Sequence, residues 1–482
     1  MAVIVSCGHD NSPDPLYQDQ WYLHGGQNGK ATNINLARIR ETGKGVVIAV
    51  IDNGLDINHE DLQDNIITGG VNYLEDGAKQ TAGDHGTAVA GLIAAMAYNG
   101  IGIHGIAPDA KIAGSNVLRA ASMSNLAHAL SWEKEKVWIS SNSWGDFNNW
   151  GVPIGLRNVV HIALEEGVRT GRNGLGTIYV FSAGNGGERQ DGLPTDNINY
   201  SGLVNNRYVI PVCAVNEHGK RSIYSEVGAP LIVCAPSNDE ETRQISTTDV
   251  MGEAGYNSKS PEDNDDYGNK NYTKNFGGTS AAAPIVSGVV ALMLEANPLL
   301  EWRDVRMILA KSAHLTDPDD PDWSVNGSGI TINHQYGFGV VDAHAAVTLA
   351  KEWKNVGPET MLTGEKEVAA MIMENNTTGL TREITIQEDI TIEFVEITFD
   401  APNHPRIPDL EVVLTSPAGT ASRLAEKHLG LFDFFRYAKW RFGSMRHLGE
   451  HSAGIWKLTV KDLGAGESGL WQSWGIKIYG HR

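Results

Sequence analysis

Three short segments carry residue types that could perform nucleophilic chemistry together. Asp52 follows an apolar run (46–51), His85 opens a helical pattern, and Ser280 lies between Thr and Ala just before a second one. An aspartate, a histidine and a serine in this order can form one catalytic unit. Ser280 would attack a carbonyl carbon, His85 would remove its proton and Asp52 would orient the imidazole, because a neutral hydroxyl is a poor nucleophile near pH 7.

Each segment alone has an ordinary structural interpretation. An Asp after an apolar run can cap a helix, a His-Gly pair is common in turns, and Gly-Thr-Ser is common in loops. Here the three segments occur in order and in long contexts that fit together, so the sequence favours a joint catalytic role.

Four longer stretches surround these residues. They are VIAVIDNGLDINHEDL (47–62), DHGTAVAGLIAA (84–95), YVFSAGNGG (179–187) and GGTSAAAPIVSGVVALMLEANP (277–298). These stretches resemble the subtilisin-like serine proteases, and more narrowly their kexin/furin branch, the proprotein convertases. The segments SNSWG (141–145), WRDV (302–305) and YGFG (336–339) also resemble that branch, and the resemblance covers essentially the whole chain.

The resemblance implies roles for individual residues. Asp52, His85 and Ser280 fall on the catalytic triad, and Asn185 falls on the asparagine whose side-chain amide donates to the oxyanion. Without the resemblance, Asn185 could be a left-handed turn residue before two glycines. The resemblance therefore predicts a serine endopeptidase that hydrolyses peptide bonds.

The resemblance also implies a pocket for P1, the substrate residue before the cleaved bond. Ser143, Trp144 and Gly145 are expected to form one wall of this pocket, beside a substrate bound as an added strand. Convertases require Arg at P1 because acidic groups line the pocket. Arginine keeps its charge and donates in a planar fork, so carboxylates are its natural partners.

The acidic residues of this pocket match the convertases only in part. Asp196 and Glu226 match, but Ser201 stands where a pocket Asp is expected, and Asn148 replaces another. Asp191, in an insertion, could compensate. The sequence therefore predicts a preference for Arg or Lys at P1 that is less strict than in furin.

Calcium binding is implied partly by the resemblance and partly by residue type. Ca²⁺ takes about six to eight oxygen ligands from carboxylates, amides and backbone carbonyls. The ligands of one family site become the side chains of Asp14, Asp61 and Asn99 and the carbonyls of Met96, Ile101 and Ile103. In the alternative, Asp61 caps a turn and Asn99 serves the loop that ends the helix. A second family site, beneath the P1 side chain, becomes Asn148, Asp196 and Glu226, with Asn148 lowering its charge.

Composition sets limits on size and partners. A chain of 482 residues with 41% apolar and 20% charged residues should fold into two or three globular domains. Its formal net charge of −20 disfavours nucleic acid as a partner and suits protein or peptide substrates and divalent cations. No run of about 18 apolar residues stands out, so no transmembrane segment is expected.

Export is expected although the sequence shows no clear signal for it. Residues 1–8 are too short for a signal peptide and lack its basic region. We expect a monomer that is secreted or held in the cell envelope. No propeptide region precedes the catalytic segments, which indicates a mature form, or a folding chaperone or inhibitor that is encoded separately.

The three cysteines are Cys7, Cys213 and Cys234. Cys213 and Cys234 lie in apolar strand patterns, so buried free thiols are the expected state. A disulfide would need Cα atoms within about 7 Å, which the sequence does not reveal. Eukaryotic convertases contain more cysteine, which indicates a bacterial relative.

Strand and helix patterns alternate from residue 45 to about 350. Apolar runs without polar alternation, typical of parallel strands, occur at 46–51, 111–117, 137–142, 177–181, 209–215 and 231–234. Helical patterns between them lie at 85–98, 122–135, 156–169 and 280–296. The alternation predicts a doubly wound α/β domain with a mostly parallel sheet and an active site at the carboxyl ends of its strands.

From about residue 365 the pattern changes to alternating apolar and polar residues between turns rich in Gly, Pro and Asp. This pattern predicts an all-β antiparallel sandwich. Residues 410–420, 454–462 and 469–480 resemble the P domain, the jelly-roll partner of convertase catalytic domains. The expected organisation is a subtilisin-like peptidase domain (1–353), a linker (354–364) and a P domain (365–482).

Residues 251–274 form a segment that is longer than in the convertases. It contains Glu262, Asp263, Asp265 and Asp266. The segment could bind another calcium ion or cover the active site, but a solvated acidic loop is the favoured interpretation.

Other functions remain open beside the processing protease. A broad-specificity scavenging protease of the subtilisin type would share the fold and the triad. An inactive binding module, with the P domain as its working part, is disfavoured by the complete triad. An ester hydrolase is disfavoured because Ser280 does not lie in a Gly-x-Ser-x-Gly turn.

Overall fold

Six parallel strands form the central sheet of the N-terminal domain. The computed structural model describes residues 12–25, 32–36, 38–67, 70–74, 82–146, 150–188, 196–258, 265–429 and 434–482. The six strands are β1 (Val47–Ile51), β2 (Lys111–Ser115), β3 (Ile139–Asn142), β4 (Ile178–Ser182), β5 (Val209–Val215) and β6 (Val233–Pro236). Their spatial order is β2-β1-β3-β4-β5-β6. The predicted parallel sheet is confirmed, and each strand begins and ends within two residues of its predicted position.

Helices cover both faces of this sheet, which is why its strands are apolar throughout. A short helix, α1 (Trp21–His24), precedes the sheet. One face packs against α2 (Asp84–Ala94), and the other packs against α3 (Met123–Ser131) and α4 (Asn158–Thr170). The α2 face also contacts α5 (Thr279–Ala296), α6 (Trp302–Ser312) and α7 (Ala343–Glu352). The result is the three-layer, doubly wound arrangement that the alternation predicts.

Two helices end earlier than the periodicity predicts. α2 stops at Ala94 rather than at residue 98, and α3 stops at Ser131 rather than at residue 135. Tyr98 and Glu133 adopt positive φ angles of 62° and 45°, which a right-handed helix does not allow. The apolar residues continue beyond the end of each helix, so their spacing predicts helices that are too long.

The helix α5 is the central core element of the N-terminal domain. By length and composition it could span a membrane, which differs from the expectation that no segment could. In the structure, 83% of its apolar window is buried within the protein. Two small antiparallel pairs lie around the sheet: β7 (Ile245–Thr248) with β8 (Tyr272–Phe276), and β9 (Ser324–Val325) with β10 (Thr331–Ile332).

Eight antiparallel strands form a sandwich in the C-terminal part. They are β11 (Thr360–Ile372), β12 (Leu380–Ile386), β13 (Thr391–Ala401), β14 (Leu410–Thr415), β15 (Ala421–Ala425), β16 (Tyr437–Ser444), β17 (Gly454–Asp462) and β18 (Gly469–His481). One sheet has the order β11-β18-β13-β16 and the other has the order β12-β17-β14-β15. The predicted antiparallel sandwich is confirmed. Its first strand begins at Thr360, inside the range 354–364 that is expected to be a linker.

The sandwich packs against the N-terminal domain through an apolar patch and a buried ion pair. Phe394, Met445 and Leu448 of the sandwich belong to the main core of the N-terminal domain. Arg303 of α6 and Glu393 of β13 are 2.5 Å apart and only 6% and 8% exposed. Burial alone would raise the pKa of Glu393, but the guanidinium of Arg303 lowers it below its usual value.

A second contact between the domains involves the short turn Ile198–Tyr200. The amide Nδ2 of Asn197 donates to Oε1 of Glu426 (3.1 Å), and the Tyr200 hydroxyl donates to the carbonyl of Glu426 (3.2 Å). Glu426 lies just after β15. One turn of the N-terminal domain is therefore held by the sandwich.

Cys213 and Cys234 form a disulfide, so the expectation of free thiols is wrong. The two residues lie directly opposite each other on the neighbouring parallel strands β5 and β6, with Cα atoms 4.2 Å apart. The pairing depends on the register between two strands, and apolar runs do not contain that information. Cys7 lies outside the described residues.

Replacing Glu393 by Gln should destabilise the protein by about 3 kcal/mol, because the buried Arg303 loses its closest countercharge. The nearest remaining carboxylate oxygen, on Glu359, is 3.8 Å away. The free energy of unfolding from urea titrations would test this, with Ser280→Ala in every chain to remove the expected nucleophile. The exposed pair Arg482–Glu388 supplies the control: Glu388→Gln should change stability by less than about 0.5 kcal/mol. Equal effects of the two substitutions would contradict the importance of the buried pair.

Candidate active site

Asp52 and His85 are in direct contact at the carboxyl edge of the sheet. Asp52 directly follows β1 and is fully buried, and His85 is the second residue of α2. Nδ1 of His85 lies 2.9 Å from both carboxylate oxygens of Asp52. Strand and helix come so close that only glycine fits at position 86, where a Cβ would lie 2.0 Å from the carbonyl oxygen of Gly54. This approach sets the distance between carboxylate and imidazole.

The surroundings of His85 favour its charged form. Burial alone would lower the pKa of the imidazole, but the Asp52 carboxylate outweighs burial and raises the pKa above the usual 6.5. The ring of Phe276 packs edge-on against the imidazole, with centroids 5.5 Å apart. An imidazole whose cation is stabilised in this way is suited to accept a proton during a reaction.

Ser280 lies at the start of α5, where a proline changes the hydrogen bonding. An N–H at position 284 would normally bond to the carbonyl of Ser280, but Pro284 has none. The hydroxyl of Ser143 donates to that carbonyl instead (2.9 Å), and the Ser280 hydroxyl donates to the carbonyl of Ser143 (3.3 Å). Two reciprocal bonds therefore hold the start of α5 against the segment that follows β3.

The Ser280 hydroxyl is held by Ser143 rather than by His85. Among the described residues, no hydrogen bond joins Oγ of Ser280 to Nε2 of His85, whereas the bond to the Ser143 carbonyl is present. Catalytic hydrogen bonds often tighten only when substrate binds.

Asn185 lies in the loop after β4, beside the start of α5. Its Oδ1 accepts hydrogen bonds from the backbone N–H of Thr279 (2.9 Å) and from the Thr279 hydroxyl (2.8 Å). The oxygen end of the amide is thus bound to α5, and Nδ2 is the donor end of the same amide. Asn185 and Ser280 border the same cavity, so an amide donor lies near the hydroxyl.

A cavity of about 240 Å³ opens beside Ser280. The predicted wall residues Ser143, Trp144 and Gly145 all line it. The indole of Trp144 packs edge-on against Phe181, with ring centroids 5.3 Å apart, which fixes this wall. A side chain that enters the cavity would place the following carbonyl group next to Ser280.

Two of the predicted acidic residues, Asp196 and Glu226, also line this cavity. Asp196 accepts hydrogen bonds from the backbone N–H groups of Trp150 (3.2 Å) and Gly151 (2.6 Å), and Glu226 accepts one from Gly186 (3.2 Å). Burial, and then the Asp196 carboxylate, raise the pKa of Glu226 well above its usual value. Two buried carboxyl groups in one place favour a cation or a shared proton.

Asp146 is a third carboxylate in the cavity wall, and the sequence analysis missed it. Its Oδ2 accepts a hydrogen bond from the Ser201 hydroxyl (2.5 Å). Burial raises the pKa of Asp146, although the bond from Ser201 opposes this. Its position directly after the wall residue Gly145 was the available signal. Asn148 and Asp191, which the sequence analysis selected, lie outside the described residues.

The side chains expected at the first calcium site lie together. The carboxylate of Asp14 accepts hydrogen bonds from two backbone N–H groups of the loop 98–100, at 2.7 and 3.0 Å. The fully buried Asp61 accepts bonds from Nδ2 of Asn99 (2.7 Å) and from the N–H of Ile103 (3.0 Å). One loop therefore surrounds two carboxylates.

Met96 and Ile101, whose carbonyls are expected ligands, belong to the same loop. The N–H of Met96 donates to the carbonyl of Asp61 (2.9 Å), and the N–H of Ile101 donates to Oδ1 of Asn99 (3.0 Å). Burial raises the pKa of Asp61 to about 7, and the nearby Asp14 adds to the rise. Over the described ranges, no three His, Cys, Asp or Glu side chains are placed to hold a metal. A cation here would thus need amide and carbonyl oxygens as well.

The described parts of the long acidic segment, 251–258 and 265–274, are held by hydrogen bonds. Asp249 is fully buried and accepts a bond from the N–H of Asn257 (2.7 Å). Asp266 accepts bonds from the Thr273 hydroxyl (2.6 Å) and from a backbone N–H of β8 (2.8 Å). Most of the described residues of the segment are nevertheless exposed or half-buried, so the structure does not contradict the expectation of a solvated acidic loop.

This segment borders the histidine side of the site. The ring of Tyr256 lies 5.8 Å from that of Phe276, and Phe276 in turn contacts His85. The described part of the segment therefore lies near the imidazole, and its suggested roles as a solvated loop, a calcium site or a cover stay predictions. Glu262 and Asp263 lie outside the described residues.

Comparisons with known sequences agree with this architecture. Residues 43–339 match the subtilase family, Peptidase S8, and residues 392–478 match the proprotein convertase P-domain. The chain is 32% identical to human proprotein convertase subtilisin/kexin type 6, over 97% of this chain and 48% of the human protein. It is 33% identical to kexin of Saccharomyces cerevisiae, over 97% of this chain and 56% of kexin. The chain spans about half the length of the curated relatives it matches.

A solved structure has the same arrangement of both domains. The serine protease of Aeromonas sobria, determined in complex with a chaperone, superposes with a TM-score of 0.88 at 26% identity. The match covers 98% of this chain and 95% of that chain. The chain therefore belongs to the subtilase family of serine proteases, at its kexin-like end, and carries a proprotein convertase P domain.

Proposed function

We propose that Asp52, His85 and Ser280 are the catalytic triad of this protease and that Asn185 stabilises its oxyanion. The observation that carries the proposal is the contact of His85 Nδ1 with both oxygens of Asp52, at 2.9 Å. With Nδ1 engaged, Nε2 is the ring nitrogen left for proton transfer. Membership of the subtilase family supports the same assignment.

In the proposed mechanism, Nε2 of His85 takes the proton of Ser280 while Oγ attacks the scissile carbonyl carbon. Asp52 stabilises the imidazolium, and Nδ2 of Asn185 donates to the oxyanion. His85 then gives the proton to the leaving amine, and an acyl-enzyme remains on Ser280. Water, activated by His85 in the same way, releases the acid product.

Replacing Asp52 by Asn should lower kcat/KM by about 10⁴-fold, because the imidazole loses its orienting partner. Since Asp52 raises the pKa of His85, wild-type activity should fall as the pH drops through a midpoint above 6.5. An NMR titration of His85 in the Ser280→Ala chain should show a lower midpoint once Asp52→Asn is added.

The matched control for this prediction is Asp64→Asn, an exposed position in a turn, which should leave rate and titration unchanged. An unchanged His85 midpoint in Asp52→Asn would contradict the proposed role of Asp52. A fluorophosphonate probe that failed to label Ser280 would support an inactive binding module instead.

The proposed specificity is a preference for Arg or Lys at P1. Asp196 and Glu226 line the cavity beside Ser280, and its described lining contains no lysine or arginine. A guanidinium or ammonium group in this cavity would form charge-assisted hydrogen bonds. A processing-type protease therefore fits the site better than a broad-specificity one.

Hydrolysis of two fluorogenic peptides that differ only at P1 tests this preference. The Arg peptide should have a kcat/KM about 10- to 100-fold above that of the Phe peptide, because hydrogen bonds to charged groups contribute about 1.5–3 kcal/mol. Equal values would instead favour the scavenging protease of broad specificity.

A calcium ion is the proposed partner of Asp14, Asp61 and Asn99, with the carbonyls of Met96, Ile101 and Ile103. The fit rests on Asp61, a fully buried carboxylate beside Asp14 that, among described residues, has no Lys or Arg partner. The ion would neutralise both carboxylates and stabilise the loop after α2. Asn148, Asp196 and Glu226 form the second proposed site.

Calcium should raise the thermal unfolding midpoint of the Ser280→Ala chain relative to EGTA. Binding at 100 times Kd contributes about 2.7 kcal/mol. Asp61→Asn should remove most of the increase, because it removes a buried ligand charge, whereas the fully exposed Asp265→Asn should retain it. No effect of calcium, or a loss confined to Asp265→Asn, would rule out the first site.

The proposed location is outside the cytoplasm, as a secreted or cell-envelope protein. The disulfide between Cys213 and Cys234 supports this, since disulfides persist in oxidising compartments. A separately encoded folding chaperone is a further proposal, supported by the Aeromonas sobria protease that was solved with one. A monomer remains the expected state.

A further inference from the structure

The cavity beside Ser280 contains one carboxylate whose described partner is a side-chain hydroxyl rather than the backbone. Asp196 accepts from two backbone N–H groups and Glu226 accepts from one. Asp146 instead accepts from the Ser201 hydroxyl through Oδ2. Among the described residues, its second oxygen, Oδ1, has no hydrogen-bond donor. The three acids of the cavity are therefore not equivalent.

Ser201 holds Asp146 in a defined position. The Ser201 hydroxyl accepts a hydrogen bond from the N–H of Val204 (3.2 Å) and gives its own proton to Asp146 (2.5 Å). Ser201 is itself buried, in the turn that follows Ile198–Tyr200. The serine therefore fixes one carboxylate oxygen, and the carboxyl group borders the cavity.

We propose that Asp146 is the carboxylate that binds the charged P1 side chain and that Ser201 positions it. This inference rests on the proposed preference for Arg or Lys. Convertases are expected to have a pocket Asp at position 201, and here the carboxylate comes from the wall segment after Gly145. The carboxylate is supplied by a residue in direct contact with position 201, and the hydroxyl of Ser201 supports it.

The carboxylate lies on the same segment as the wall residues that hold the start of α5. Ser143 and Ser280 are joined by reciprocal hydrogen bonds, and Asp146 follows three residues after Ser143. A cation held by Asp146 is thereby fixed relative to the hydroxyl. Asp196 and Glu226 line the same cavity and would add to its negative potential.

The test compares wild type with Asp146→Asn on the Arg and Phe peptides. Asn keeps the size and the bond from Ser201 but loses the charge, so kcat/KM for the Arg peptide should fall about 10- to 100-fold. The kcat/KM for the Phe peptide should fall much less than that for the Arg peptide, and fluorophosphonate titration should show the same fraction of active protein. The Ki of benzamidine, an amidinium ion, should rise by a similar factor.

Variants of Ser201 separate positioning from binding. Ser201→Ala should lower the Arg preference less than Asp146→Asn does, and Ser201→Thr, which retains the hydroxyl, should restore it. The double variant Asp146→Asn with Ser201→Asp returns a carboxylate to the position expected in convertases and should recover part of the Arg preference. The exposed Asp389→Asn is the neutral control.

The outcomes distinguish this inference from the proposed specificity. A wild type that prefers Arg and an Asp146→Asn variant that prefers it equally would overturn the role of Asp146 and leave the basic preference intact. A wild type without any Arg preference would overturn both. A parallel loss on the Arg and Phe peptides would show that Asp146 supports the fold of the pocket rather than its charge.

Discussion

Buried carboxylates held by backbone N–H groups are the constraint on which this structure depends. Asp52, Asp196 and Glu226 are at most 8% exposed, and each accepts at least one backbone N–H. Such a donor satisfies a carboxylate oxygen without cancelling its charge, whereas a lysine or arginine would neutralise it. The carboxyl edge of the sheet therefore keeps a negative potential in a poorly screened setting. This potential would stabilise an imidazolium, a cationic side chain or a metal ion at that edge.

The start of α5 links this edge to the serine hydroxyl. Pro284 removes one donor from the helix, and Ser143 supplies the missing hydrogen bond to the carbonyl of Ser280. Because the segment that begins at Ser143 is also a wall of the cavity, the Ser280 hydroxyl is held directly against this wall. In the substrate, only a few covalent bonds separate the P1 side chain from the carbonyl that Ser280 would attack. Binding the side chain in the cavity therefore also positions that carbonyl. This is the preorganisation that transition-state stabilisation requires.

The sequence predicts the elements of this protein better than their mutual register. The buried strands could be located because parallel strands covered on both faces have continuous apolar runs. The Cys213–Cys234 disulfide could not be predicted, since it depends on how β5 and β6 are aligned after the connection between them. Asp146 was missed for a related reason. Comparison with a family pattern identifies equivalent positions in the chain, whereas the contact between Asp146 and Ser201 joins positions that are 55 residues apart.

The turn Ile198–Tyr200 is shared between the two domains. Tyr200 lines the cavity on one side and donates to the carbonyl of Glu426 in the P domain on the other. The P domain is thus a separate unit in sequence but a structural neighbour of the specificity pocket. The P domain is therefore not fully independent of the protease domain. A recombination event that exchanged P domains between related proteases would also change the contacts that hold Tyr200 in the wall of the pocket. Evolution is then expected to transmit the two domains as a matched pair.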